Sequence, residues 1–224
     1  MPSIRSGPAR TREHVVLLGD SIFDNAAYTG REPDVITHLR SLLPAECQAT
    51  LAAVDGATTS GLAAQIRRLP RDATRLVVAL GGNDALRNID LLSFRATSSA
   101  DVLGTFATRL AGFERDYRNA VSELPRLEQP ATVCTIYNGA LPPDQARLAR
   151  IALMTFNDAI LRTAFDLRFD VIELRAICTE PADYANPIEP SGAGGRKIAL
   201  AIASTFGMAH PLPAPSRVWA HHSC

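Results

Sequence analysis

Five short apolar runs alternate with segments of helical spacing, and that alternation narrows the choice of fold more than any other feature of the chain. The runs are HVVLLGDS (14–21), CQATLAAVDG (47–56), RLVVALGGND (75–84), ATVCTIYNG (131–139) and DVIEL (170–174). The first and third are apolar without interruption, the mark of strands covered on both faces. Between them lie helical segments at 33–43, 60–69, 99–124 and 143–167, and another follows at 194–206. In 143–167 the positions Leu148, Ile151, Thr155, Phe156, Ala159, Ile160 and Ala164 share one helix face. A helix between successive strands makes the strands parallel, joined by right-handed crossovers. The chain is therefore expected to be α/β: a three-layer α/β/α domain with a five-stranded parallel sheet over 14–206, an N-terminal tail at 1–13 and an irregular, Pro-rich tail at 207–224. Chemistry in such folds gathers outside the carboxyl ends of the strands. That brings together the loops 19–30, 55–60, 81–90, 137–143 and 175–193.

With 224 residues, 46% of them hydrophobic, the chain can build one full core. Lys+Arg and Asp+Glu both number 23. This balance offers no electrostatic footing for nucleic acid or an anionic membrane. No apolar run approaches membrane-spanning length, and MPSIRSGPARTRE lacks the apolar centre of a signal peptide. The expectation is a soluble, cytoplasmic protein that engages neither membrane nor nucleic acid; its oligomeric state is left open. Cys47, Cys134, Cys178 and Cys224 form no CxxC pair, and the five histidines make no ligand spacing with them. Buried or incidental thiols are expected rather than disulfides or a metal site.

Three small-residue clusters sit at strand ends: Gly19-Asp20-Ser21, Gly56 and Gly81-Gly82-Asn83-Asp84. Singly, each reads as a turn or cap. In this order and place they resemble the SGNH, or GDSL, hydrolase family across residues 14 to 206. The resemblance implies a flavodoxin-like sheet order 2-1-3-4-5 and a serine esterase or acylhydrolase that needs no cofactor. Ser21 would be its nucleophile. The N–H groups of Ser21 and Gly56, with the Asn83 amide, would form an oxyanion hole. Fixed neutral donors suit the negative oxygen of a tetrahedral acyl intermediate because they need no reorganisation. Asp20 reads as a turn residue orienting the nucleophile loop. Asp24, Asn25, Tyr137 and Asn138 are candidates for the substrate pocket.

The family's closing Asp-x-x-His is altered. NPIEPSGAGGRKIA (186–199) places Glu189 at the position of the histidine and Asn186 at that of the aspartate, with Gly195 expected to open the helix. His14 starts the first strand, His38 lies in a helix, and His210, His221 and His222 lie in the tail. A carboxylate can act as general base if desolvation raises its proton affinity, with Pro187 and Ile188 as apolar neighbours. Asn186 is expected to hydrogen-bond that carboxylate without like-charge repulsion, and Asp183 is a third polar candidate. Two functions follow: an esterase with Glu189 as base, or a protein that holds an acyl, glycan or peptide ligand without turnover. The sequence leaves acyl chain, sugar acetate and thioester open as substrates.

Overall fold

The computed structural model describes residues 12–208. Five parallel strands run in the order β2-β1-β3-β4-β5. They are β1 (His14–Gly19), β2 (Gln48–Leu51), β3 (Arg75–Ala79), β4 (Ala131–Cys134) and β5 (Asp170–Ile172). The sheet and its order are those expected. The N-terminal segment 1–11, and the tail from 209 with His210, His221, His222 and Cys224, lie outside the described residues.

The period of two along each strand divides the core. Val15, Leu17, Val77 and Ala79 face one side, packed with α1 (Val35–Leu42) and α7 (Gly192–Thr205). Val16, Leu18, Leu76 and Val78 face the other, with α2 (Leu62–Ile66), α4 (Ser99–Val121) and α5 (Pro143–Leu167). There the ring of Phe113 on α4 lies 4.9 Å from that of Phe156 on α5. Every residue of β1 is buried, so the uninterrupted apolar run is a central strand with helices on both faces.

The strands stop earlier than their apolar runs. Gly81, at φ +115°, turns the chain off β3, and Gly82–Leu86 forms α3 where a turn was expected. Beyond β4, Ile136 exchanges both backbone hydrogen bonds with the buried side chain of Asn157 instead of a strand. The Ser191 hydroxyl accepts from Gly194 N–H, so α7 opens at Gly192 rather than at Gly195. Of the 60–69 segment only α2 is α-helical. A short α6 (Leu174–Ile177) and a 3₁₀ turn at Ile89–Ser93 were not anticipated.

Two glycines should respond oppositely to alanine. At Gly19 (φ +127°) a Cβ would lie 1.7 Å from the Ala79 carbonyl oxygen. Gly104 is an exposed helical residue of α4 with no neighbour within 4 Å of a Cβ. Gly19→Ala is expected to cost at least about 3 kcal/mol in urea unfolding. Gly104→Ala should stabilise by about 0.5–1 kcal/mol. Equal effects would contradict the packing described at Gly19.

Candidate active site

The first loop is built tightly onto the sheet. Gly19 pairs with Ala79 across β1 and β3. Its N–H donates to Gln65 Oε1 at 2.7 Å, and its carbonyl accepts from Gln65 Nε2 at 2.8 Å. Asp20 N–H donates to the Ala79 carbonyl, and the Asp20 carbonyl accepts from Phe23 and Asp24 N–H, each at 3.1 Å. The Asp20 carboxylate accepts from Ile22 N–H. Ser21 is thus carried on a single helical turn directly above β1, and it is 7% exposed.

The Ser21 hydroxyl donates to Glu189 Oε1 at 3.0 Å, joining residues 168 positions apart. Glu189 is held through the carbonyls on either side of it. Tyr137 OH donates to Ile188 O at 2.6 Å, and the Asn25 amide donates to Pro190 O at 3.1 Å. Asn25 also accepts from Val35 N–H, so it locks the first loop to both α1 and the Glu189 loop. Asn186 Oδ1 accepts from the N–H groups of Ile188 and Glu189, each at 3.0 Å. It shapes the turn, and no hydrogen bond joins it to the Glu189 carboxylate, contrary to the expectation from sequence. Its short side chain is spent on the backbone donors nearest to it.

Both carboxylates here are raised. Glu189 is pushed up from 4.5 to about 7, chiefly by burial, against the pull of the Ser21 hydroxyl and with help from the charge of Asp55. Asp20 is pushed up from 3.8 to about 7, again chiefly by burial, opposed by the Ile22 N–H and reinforced by Glu189, Asp84 and Asp55. The second oxygens, Glu189 Oε2 and Asp20 Oδ2, are buried without a hydrogen-bond partner among the described residues. Pro187 is exposed and Ile188 is 40% exposed. Glu189 itself is 6% exposed, with Ser21 of the first loop on one of its oxygens.

Asn83 lies in the first turn of α3 and donates to the Ala57 carbonyl at 3.0 Å. Asp84 beside it accepts from Thr59 N–H and Oγ1. Gly56 (φ +74°) is exposed, between Asp55, whose N–H donates to Asp24 Oδ2, and Ala57, whose carbonyl Asn83 holds. Among the described residues, the N–H groups of Ser21 and Gly56 have no acceptor.

Asp20, Ser21, Asn83, Tyr137, Asn138 and Glu189 line one cavity of about 410 Å³. Asp24, Asn25 and Gly56 are not on its wall. Asp24 and Asn25, expected there, are spent on bonds between loops. Asp183 serves α7 and its approach: it pairs with Lys197 Nζ at 2.8 Å and accepts from Glu180 N–H. No hydrogen bond joins it to the Glu189 carboxylate. His14 bonds Thr50 at the far end of β1, and His38 lies on α1. The described residues hold no His, Cys, Asp or Glu cluster suited to a metal. Gln65 is the positioning residue that sequence reasoning missed, and Asn25, expected on the pocket wall, positions loops instead. A polar residue in a helix or loop carries no sign that it will be buried.

Comparison with known proteins now bears on this geometry. The model of the GDSL-like lipase/acylhydrolase family matches residues 17–197. A search of curated proteins returns no match. Among solved structures, phospholipase A1 from Streptomyces albidoflavus has a similar fold, with TM-score 0.67, 16% identity, and coverage of 87% of this chain and 99% of that one. The extracellular lipase of Streptomyces rimosus gives 0.65, 15%, 86% and 99% in the same order. An acetylxylan esterase from Geobacillus stearothermophilus gives 0.64, 18%, 93% and 100%. At such identities the likeness is one of fold.

The raised carboxylates predict a pH effect on stability. Unfolded, both groups titrate near ~4. Folded, they keep their protons up to about 7. Between these values the folded state binds more protons, so stability falls as pH rises through the window. It is fully present below ~4 and lost above about 7. Asp20→Asn keeps the acceptor for Ile22 N–H without the charge. It should exceed the wild type in urea midpoint at pH 8 and show a shallower decline from pH 5 to 8. An unchanged slope would contradict a buried, proton-retaining Asp20.

Proposed function

The chain belongs to the GDSL-like lipase/acylhydrolase family, and on that premise we propose that it is a serine esterase in which the carboxylate of Glu189 acts as the general base. The observation that carries this reading is the buried 3.0 Å hydrogen bond from the Ser21 hydroxyl to Glu189. The carboxylate sits near pH 7, within reach of the proton it has to take.

Ser21 Oγ attacks the ester carbonyl carbon while its proton passes to Glu189 Oε1. The carbonyl π pair moves onto oxygen, giving a tetrahedral oxyanion. Among the described residues, the unpaired Ser21 N–H and the Asn83 amide proton not spent on Ala57 are the donors on this cavity's wall; the Gly56 N–H, also without an acceptor, lies off that wall. Collapse expels the alkoxide, which takes the proton from Glu189 and leaves as the alcohol. Water then gives a proton to Glu189 and attacks the acyl-serine. The second collapse releases the acid, and Ser21 recovers its proton.

A protonated histidine is a cation and gains from an aspartate beside it. A protonated glutamate is neutral and needs no such partner. That fits the use of Asn186 as a turn former. Orientation comes instead from Tyr137 and Asn25, which grip the carbonyls flanking Glu189. Burial pushes the Tyr137 phenol well above its ordinary range, so it stays a neutral donor.

Hydrolysis of p-nitrophenyl esters tests the assignment. Ser21→Ala should abolish turnover. Glu189→Gln keeps the shape but cannot take a proton, and should lower kcat by about 10²–10⁴. Asn83→Ala should lower kcat by about 10²–10³ with little change in KM. Full activity in Glu189→Gln would place the base elsewhere. Ligand binding with no turnover in the wild type would favour the binding-protein reading instead.

A further inference from the structure

We infer that the acyl half of the substrate is a hydrocarbon chain of medium length, held in the cavity beside Ser21; the inference rests on the ester-hydrolase reading of that site. The cavity, about 410 Å³, lies within the range of small-ligand sites and exceeds the need of an acetyl group. Gln145, Leu148, Ala149, Ala152, Leu153 and Phe156 all line it. Their spacing of three and four residues makes them one face of α5, turned toward the space. Leu86 on α3, Ile89 and Leu92 of the 3₁₀ turn, and Phe106 on α4 also contribute to the wall. Ser21, Asn83 and Glu189 share this wall, so a carbonyl at Ser21 has apolar space next to it.

The charge pattern narrows the ligand. Among the described residues, the charged side chains on the wall are Asp20 and Glu189, with no Lys or Arg. An anionic acyl group would meet two carboxylates and no cation. A sugar would find few side-chain hydrogen-bond partners apart from the reacting residues: Asn88, Asn138 and Gln145. Several large apolar wall residues are still exposed: Leu86 at 41%, Ile89 at 62%, Leu148 at 50% and Ile188 at 40%. An acetyl ester would leave them wet, whereas an alkyl chain covers them. Ala149 and Ala152 are the small residues on the α5 face, and they leave the chain its room.

The test is a p-nitrophenyl ester series from acetate to dodecanoate, kept below micelle-forming concentrations. Each methylene should raise kcat/KM about threefold to fourfold until the cavity is full, at about eight to ten carbons. Ala152→Phe should lower the octanoate-to-acetate ratio of kcat/KM by at least about tenfold. Ala149→Leu offers a smaller obstruction should the first variant misfold. A flat or acetate-favouring wild-type profile would overturn the inference and leave the hydrolase reading intact. If no ester is cleaved, calorimetry with neutral ketones reads the cavity by itself. Preference for 2-decanone over 2-butanone by at least about a hundredfold would keep the hydrocarbon site and overturn the hydrolase reading. Equal affinities would overturn both.

Discussion

Gly19 can stand against β3 only because it has no side chain. Any Cβ there would enter the Ala79 carbonyl. The close approach aligns the ends of β1 and β3, and the buried Gln65 takes up both backbone groups of Gly19. With its start pinned, the turn that follows has one place to go, and Ser21 sits on it. The same loop then supplies Asn25 to α1 and to the Glu189 loop, and Asp24 to the loop of Gly56. One unsubstituted α-carbon therefore underlies the positions of several groups that are far apart in sequence.

Replacing histidine by glutamate in this frame changes what the surroundings must supply. An imidazole works near its ordinary pKa and needs a partner for its charged form. A carboxylate starts too acidic, and needs a setting that disfavours its charged form. Glu189 has that setting: it is 6% exposed, one of its oxygens has no hydrogen-bond partner among the described residues, and the charge of Asp55 adds to the effect. Such a site costs stability at neutral pH, a common feature of sites tuned for proton transfer. On the reading proposed above, an acyl chain filling the apolar cavity next to Ser21 and Glu189 would exclude water from the carboxylate.

Much of the fold was legible because burial on both faces leaves an unmistakable apolar run, as in Val15–Leu18 and Leu76–Leu80. The juxtaposition of Ser21 and Glu189 was legible because each follows from a recognisable segment on a loop at the carboxyl edge. The support beneath them was not. Gln65 looks like a surface residue until its partner Gly19 is known, and Asn25, read as a pocket residue, instead ties the first loop to α1 and the Glu189 loop. Asn186 and Asp183 were read toward Glu189, but nearer donors claim them: the backbone N–H groups for one and Lys197 for the other. Gly82, Asn83 and Asp84 are poor helix formers, and the start of α3 is held by contacts of Asp84 with Thr59 that no local pattern reveals. The cavity joins faces of α3, α4 and α5, and its apolar residues on α5 read as ordinary core.

The role proposed for Glu189 is to activate Ser21. The most direct measurement is the second-order rate at which a fluorophosphonate labels Ser21, followed by intact-protein mass from pH 4 to 9 in the wild type and in Glu189→Gln. Wild-type labelling should rise with pH through an apparent pKa of about 7, as Glu189 ionises, and Glu189→Gln should label at least about a hundredfold more slowly with that rise removed. Labelling that is equally fast in both proteins, with the same pH dependence, would contradict that role.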